Sequence, residues 1–364
     1  MTRSGYFEGS ESCYRATIRR LGIESRQEGT MTIEIAAFRK RFTRRAALGG
    51  AATMLAAPAF AEDCRIGPPP HAKGPLVWMD MDQVELDAAY DQAFYAPLRL
   101  EVINRLVSTS EAVRARLGQP MREAYGPTAV EKLDIYRTKR AKAPIFVFIH
   151  GGAWLGGEAK NYAFPAEMIV NAGAHYVAPD FIAIKEAGGD LRVMAEQVRR
   201  GIAWVYRNAD KFDGDRDRLY IGGHSSGGHL CGVALVTDWQ NDFGLPGDIV
   251  KGGLCMSGIY DMKAVRLSKR STYVKFTDEM EQAMSSQRHL DLLRAPIIVT
   301  YGTDETPEFQ RQNRDFAAAV KAAGKPVELV EGPHLNHFEI LESLGNPYGP
   351  NGRAALALMK LSQS

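Results

Sequence analysis

Cysteine is scarce, with four in 364 residues. Three of them, Cys64, Cys231 and Cys255, lie beyond residue 61, and none has the paired spacing of a zinc site. That excludes a disulfide framework and a Cys/His metal centre. Cys231 and Cys255 fall in an expected helix and strand, where a buried thiol behaves as a small apolar side chain. Net charge is also small, at +2. Ten of the 45 basic and five of the 43 acidic residues crowd into positions 1–61, so the remainder holds 35 and 38, a net of −3. That balance leaves no electrostatic footprint for nucleic acid. The apolar run near the N-terminus is too short to span a bilayer. There is no internal repeat and no low-complexity tract.

What the first 61 residues contain is a targeting pattern. The stretch FRKRFTRRAALGGAATMLAAPAFA sets Arg39, Lys40, Arg41, Arg44 and Arg45 before a short apolar run. Ala59-Phe60-Ala61 then gives small residues at cleavage-site spacing. It reads as a secretory signal, of which Thr43-Arg44-Arg45 resembles the twin-arginine kind. A plain basic amphipathic helix is the competing reading. Glu62 and Asp63 argue against a lipid anchor at Cys64. Met31 offers a second start besides Met1. The expectation is a periplasmic or secreted protein, with 1–61 set apart from the fold.

Beyond a Pro/Gly-rich stretch at 66–75, residues 80–117 have helical spacing broken at Pro97. A helical arm is expected over 62–125. From about 126 to 364 strand and helix alternate. Strands are expected at 131–138, 143–150, 174–181, 218–223, 250–258, 295–302 and 326–332. Helices fill the gaps, notably at 189–209, 226–237 and 307–323. This predicts the α/β class: a mostly parallel central sheet covered by helices on both faces. Residues 260–293 break the rhythm and are expected to form a lid-like insertion.

In IGGHSSGGH, at 221–229, Ser225 lies between a strand and a helix, flanked by Gly223 and Gly227. A side chain larger than hydrogen at either glycine would collide across such a bend. The helix start offers free N–H groups, that of Ser226 among them, to a developing negative charge. A serine hydroxyl needs a base, an orienting acid and oxyanion donors to become a nucleophile. HGGAW, at 150–154, supplies candidate donors in Gly152 and Ala153, with Gly151, Trp154 and His224 nearby as candidate pocket residues. His337 is the preferred base, with His334 as the fallback. Asp304 and Glu305 are the candidate acids, and their chemistry does not separate them. The order serine, acid, histidine suits the α/β-hydrolase arrangement.

With these motifs in order, residues 125–364 resemble the α/β-hydrolase superfamily. HGGAW with GHSSGGH looks similar to the hormone-sensitive-lipase-like esterases and, more closely, to the arylformamidases. The resemblance implies an acid inside a D/E-S/T-P-E-F string, which here is Glu305-Thr306-Pro307-Glu308-Phe309 and so favours Glu305 by register. LDAAYDQAFYAPL, at 86–98, looks like the arm that precedes the core in that group. It makes Tyr90, Phe94 and Tyr95 candidates for the pocket wall.

The implied chemistry is acyl transfer through an acyl-enzyme on Ser225, without metal or organic cofactor. The implied substrate is a small or aryl carboxylic ester, a xenobiotic aromatic ester being one option. An arylformamidase acting on an amide is the alternative. A non-catalytic binding protein on the same fold is the second alternative. A small-molecule ester is the expected partner, and a homodimer is left open.

Overall fold

The eight residues Ala143 to His150 are apolar almost throughout, and seven of them form strand β5 (Ala143–Ile149), buried along its length. The reason is visible in where alternate side chains go. Ile145, Val147 and Ile149 join the apolar core on one face of the sheet. Phe146 and Phe148 join the core on the other. A strand covered on both sides carries no polar alternation.

A computed structural model of the chain describes residues 67–68 and 70–362. The expected signal segment, Cys64 and the two candidate start sites lie outside the described residues. The main sheet has eight strands: β3 (Met121–Ala124), β4 (Lys132–Tyr136), β5, β6 (His175–Pro179), β7 (Gly214–His224), β8 (Gly252–Met256), β9 (Ile297–Gly302) and β10 (Val327–Gly332). Their spatial order is β10-β9-β8-β7-β5-β6-β4-β3. Pairing is parallel from β10 through β6 and antiparallel at β6–β4 and β4–β3. A small separate hairpin, β1 (Leu76–Trp78) with β2 (Met81–Asp82), precedes them.

Two of these pieces differ from the expectation. The β1–β2 hairpin was not foreseen, and β3 lies within the stretch expected to be helical arm. Both are short, with mixed polar and apolar residues, so neither announces itself by periodicity. The rest of the arm is helical: Gln83–Ala89, a 3-10 turn at Gln92–Phe94, and Arg99–Leu117. Asp82 starts the first helix by accepting from Glu85 N–H, while Glu85 reaches back to Asp82 N–H.

Strand order reverses at β5. The chain moves from β5 to β6 on one side, then returns to place β7 on the other. At such a switch point the loops after the two strands splay apart and leave a crevice at their carboxyl ends. HGGAW follows β5, and GHSSGG follows β7. The topology therefore brings the two glycine-rich motifs to one rim.

Candidate active site

Ser225 sits at φ 58°, ψ −123°, between β7 and the helix Ser226–Leu235. This strained backbone is fixed from both sides. Ser225 N–H donates to Met256 C=O at the end of β8, at 3.0 Å, and Ser225 C=O accepts from His229 N–H, also at 3.0 Å. The flanking glycines are required by close approach. A Cβ on Gly223 would lie 2.1 Å from Gly227 O, and one on Gly227 would lie 2.1 Å from Ile149 O. The serine is 7% exposed and opens into a cavity of about 720 Å³.

His337 lines the same cavity and is 4% exposed. It is the first residue of the helix His337–Glu342. Asn336 caps that helix by accepting from Phe338 and Glu339 N–H, which sets where the imidazole emerges. Its Nδ1 lies 2.7 Å from Glu305 Oε2. The ring is held edge-on by Phe309 and Phe338, with centroids at 4.8 and 5.5 Å.

Glu305 is 2% exposed, directly behind the histidine. Its other oxygen accepts from Ser257 Oγ at 2.6 Å and from Gly302 N–H at 2.7 Å. Asp304, by contrast, is exposed and makes no hydrogen bond to His337, and His334 is exposed as well. Geometry therefore separates the two acids and the two histidines that sequence chemistry left open.

The ETPEF string has a physical role at every position. Thr306 caps the helix Pro307–Ala322, with Pro307 in its first turn. The Thr306 hydroxyl donates to Ala89 C=O in the arm, at 2.6 Å. Glu308 accepts from the Tyr90 hydroxyl at 2.9 Å and pairs with Arg311. Burial, then the Glu308 charge, push the Tyr90 phenol well above its ordinary pKa, so it stays a donor.

Gly151, Gly152, Ala153 and His224 also line the cavity. Gly152 has φ 118°, and Ala153 and Trp154 follow at 55° and 63°. Among the described residues no acceptor engages the N–H groups of Gly152 or Ala153. Ser226 lies just behind, where its hydroxyl accepts from Trp154 N–H at 3.2 Å and ties the two motifs together. Burial, with His337 beside it, holds the His224 imidazole well below its ordinary pKa, so it is neutral there. Its Nε2 lies 2.9 Å from His337 C=O.

Three expected pocket residues, Trp154, Phe94 and Tyr95, are placed elsewhere. Trp154 is not on the cavity wall. Consecutive left-handed residues turn its indole inward, where Nε1 donates to His229 Nδ1 at 3.2 Å. Tyr95 does not line the cavity either. The 3-10 turn at Gln92–Phe94 breaks the helical frame and leaves its hydroxyl end beside Gly67. Tyr90 does line it.

Sequence reasoning missed Ser257, Gln92 and Arg270. Ser257 directly follows β8, the strand next to β7, a position from which a side chain can reach the rim. The other two had no local pattern to mark them.

Apart from the cavity, His71, Asp82 and Glu85 bring potential ligand atoms within 4.8 Å of one another. These groups already serve one another: Asp82 and Glu85 form the helix cap, His71 Nε2 contacts Asp82 at 2.8 Å, and Lys73 pairs with Glu85. Among the described residues no helix is long and apolar enough to cross a membrane.

Known proteins share the sequence and fold of this chain. Residues 133–306 match the BD-FAE family. The kynurenine formamidase of Danio rerio is 30% identical over 282 residues, covering 73% of this chain and 93% of that protein. The esterase LipC of Mycobacterium tuberculosis is 28% identical, covering 67% of this chain and 65% of its own length. Among solved structures, the esterase LipW of Mycobacterium marinum superposes with a TM-score of 0.57 at 18% identity, over 74% of this chain and 90% of that one. Esterase 2 of Thermogutta terrifontis, with propionate bound, gives 0.54 at 21% identity, over 67% and 92%. The chain belongs to the α/β-hydrolase superfamily, within its arylformamidase and carboxylic-ester-hydrolase group of enzymes.

Proposed function

We propose that the protein is a serine-dependent hydrolase of small or aryl carboxylic esters, working through an acyl-enzyme. The observation that carries this reading is the contact of His337 Nδ1 with Glu305 Oε2, at 2.7 Å, behind a cavity shared by His337 and Ser225. Glu305 holds the Nδ1 proton and leaves Nε2 free to act as the base. Ser225 Oγ attacks the ester carbonyl while His337 Nε2 takes its proton. The carbonyl π pair moves onto oxygen, and the resulting oxyanion is met by N–H groups of Gly152, Ala153 and Ser226. Collapse breaks the ester C–O bond, and the imidazolium returns its proton to the leaving alcohol. Water then attacks the acyl-enzyme by the same route and releases the acid.

The test is turnover of 4-nitrophenyl esters of increasing acyl length. Ser225→Ala should lower kcat/KM by at least about three orders of magnitude, with the fold retained. Near-normal turnover would remove Ser225 from the reaction. The 30% identity to a kynurenine formamidase favours a second reading, hydrolysis of an aryl formamide. Comparing N-formylkynurenine with a 4-nitrophenyl ester decides between the two.

A further inference from the structure

Arg270 belongs to the 3-10 turn Lys269–Thr272, in the segment between β8 and β9, and lines the cavity. It is 6% exposed. Its Nη2 donates to Tyr90 C=O at 3.0 Å, and its guanidinium lies over the rings of Trp154 and Tyr90, at 5.2 and 5.9 Å. Its Nε and Nη1 have no acceptor. Among the described residues no carboxylate pairs with it. Asp91, on the same cavity wall, is taken by Lys269, and Glu308 behind Tyr90 is taken by Arg311.

Gln92 completes the arrangement from the arm. It also lines the cavity, is 7% exposed, and has no partner for either Nε2 or Oε1. A buried cation without an anion, and a buried amide without a partner lining the same cavity, are costly to keep. Both residues line the cavity in which the ester would bind, with their unpaired atoms covered in its wall, so a turn of either side chain lets a ligand supply what they lack.

We propose that Arg270 and Gln92 form an anion subsite, and that the substrate is an ester carrying one ionised carboxylate away from the scissile bond. This rests on the reading of the cavity as an ester hydrolase site. The carboxylate oxygens accept from Arg270 Nε or Nη1 and from Gln92 Nε2. One cation and one neutral amide balance a single negative charge. With Lys269 spent on Asp91, a dianionic phosphate would leave its second charge to Arg99, a cavity-lining cation that is partly exposed.

Two matched substrate pairs test this on either side of the ester. One is 4-acetoxyphenylacetate with 4-acetoxyphenylacetamide. The other is the 4-nitrophenyl half-ester of adipic acid with its terminal amide. In at least one pair the anion should have the higher kcat/KM, by about tenfold or more, since a site built to hold a charge rejects the neutral isostere. Arg270→Gln should abolish that ratio, Arg270→Lys should keep part of it, and Gln92→Leu should reduce it by a few fold. Equal kcat/KM within both pairs, or a ratio that survives Arg270→Gln, would overturn the proposal.

If Arg270→Gln does not fold, the wild-type ratios and Gln92→Leu decide. Calorimetry on the Ser225→Ala protein reads the subsite without catalysis. 4-Hydroxyphenylacetate or the adipic acid monoamide should bind at least about tenfold more tightly than its neutral amide counterpart, and equal binding in both pairs would contradict the subsite. Should no ester be turned over at all, the hydrolase reading fails while this binding comparison still judges the subsite.

Discussion

At the residue scale the site depends on how one carboxylate is divided. Glu305 gives one oxygen to His337 and the other to Ser257 and Gly302. If it orients the imidazole as proposed, Glu305→Gln should cost about three to four orders of magnitude in kcat, because the amide favours the wrong tautomer. Ser257 touches no substrate and acts through Glu305, as a positioning residue. Its hydroxyl draws negative charge from the carboxylate. Ser257→Ala should therefore reduce kcat by about tenfold with KM little changed. An unchanged kcat would make Ser257 a packing residue only. The strained Ser225 and the glycines around it were readable from sequence because the bend is a local steric matter. Ser257 was not, because it meets Glu305 across 48 residues of chain, in a contact that exists only once β8 and β9 pair.

At the element scale, three segments are pinned together by His229, in the helix after Ser225. Trp154 Nε1, from the turn after β5, donates to His229 Nδ1. His229 Nε2, which must then carry the proton, donates to Met284 C=O, in the segment between β8 and β9, at 3.0 Å. Protonating Nδ1 would set two donors against each other in a buried space. Burial pushes the pKa of His229 down to about 4 from an ordinary 6.5. Between these values the unfolded chain binds the proton and the folded one does not. The stabilisation is complete above pH 6.5 and is lost as pH falls toward 4, with a limiting slope of about 1.4 kcal/mol per pH unit. Thermal melts across this range should therefore show a steeper acid loss for the wild type than for His229→Gln. Parallel slopes would show that His229 does not carry the effect. The insertion and the arm are also where sequence reading was weakest. The order of the strands followed from apolar runs, but the 3-10 turns that carry Gln92 and Arg270 have no period to detect.

At the scale of the whole molecule, function follows from a reversal of strand order. With β6 on one side of β5 and β7 on the other, two glycine-rich loops 75 residues apart in sequence share one rim. β9 and β10 add the loops bearing Glu305 and His337. The order of these motifs along the chain was readable because each strand ends in a short turn with its own chemistry. The edge strand β3 was not, because a four-residue polar segment gains its conformation only from pairing with β4.

The central claim is that Ser225 is the nucleophile and His337 its base. Peptide mass spectrometry after exposure to a 4-nitrophenyl alkylphosphonate tests it most directly. One phosphonyl group per chain is expected, on Ser225, with labelling slowed at least about a thousandfold in His337→Ala. Labelling at another residue, or labelling of Ser225 at an unchanged rate in His337→Ala, would contradict it.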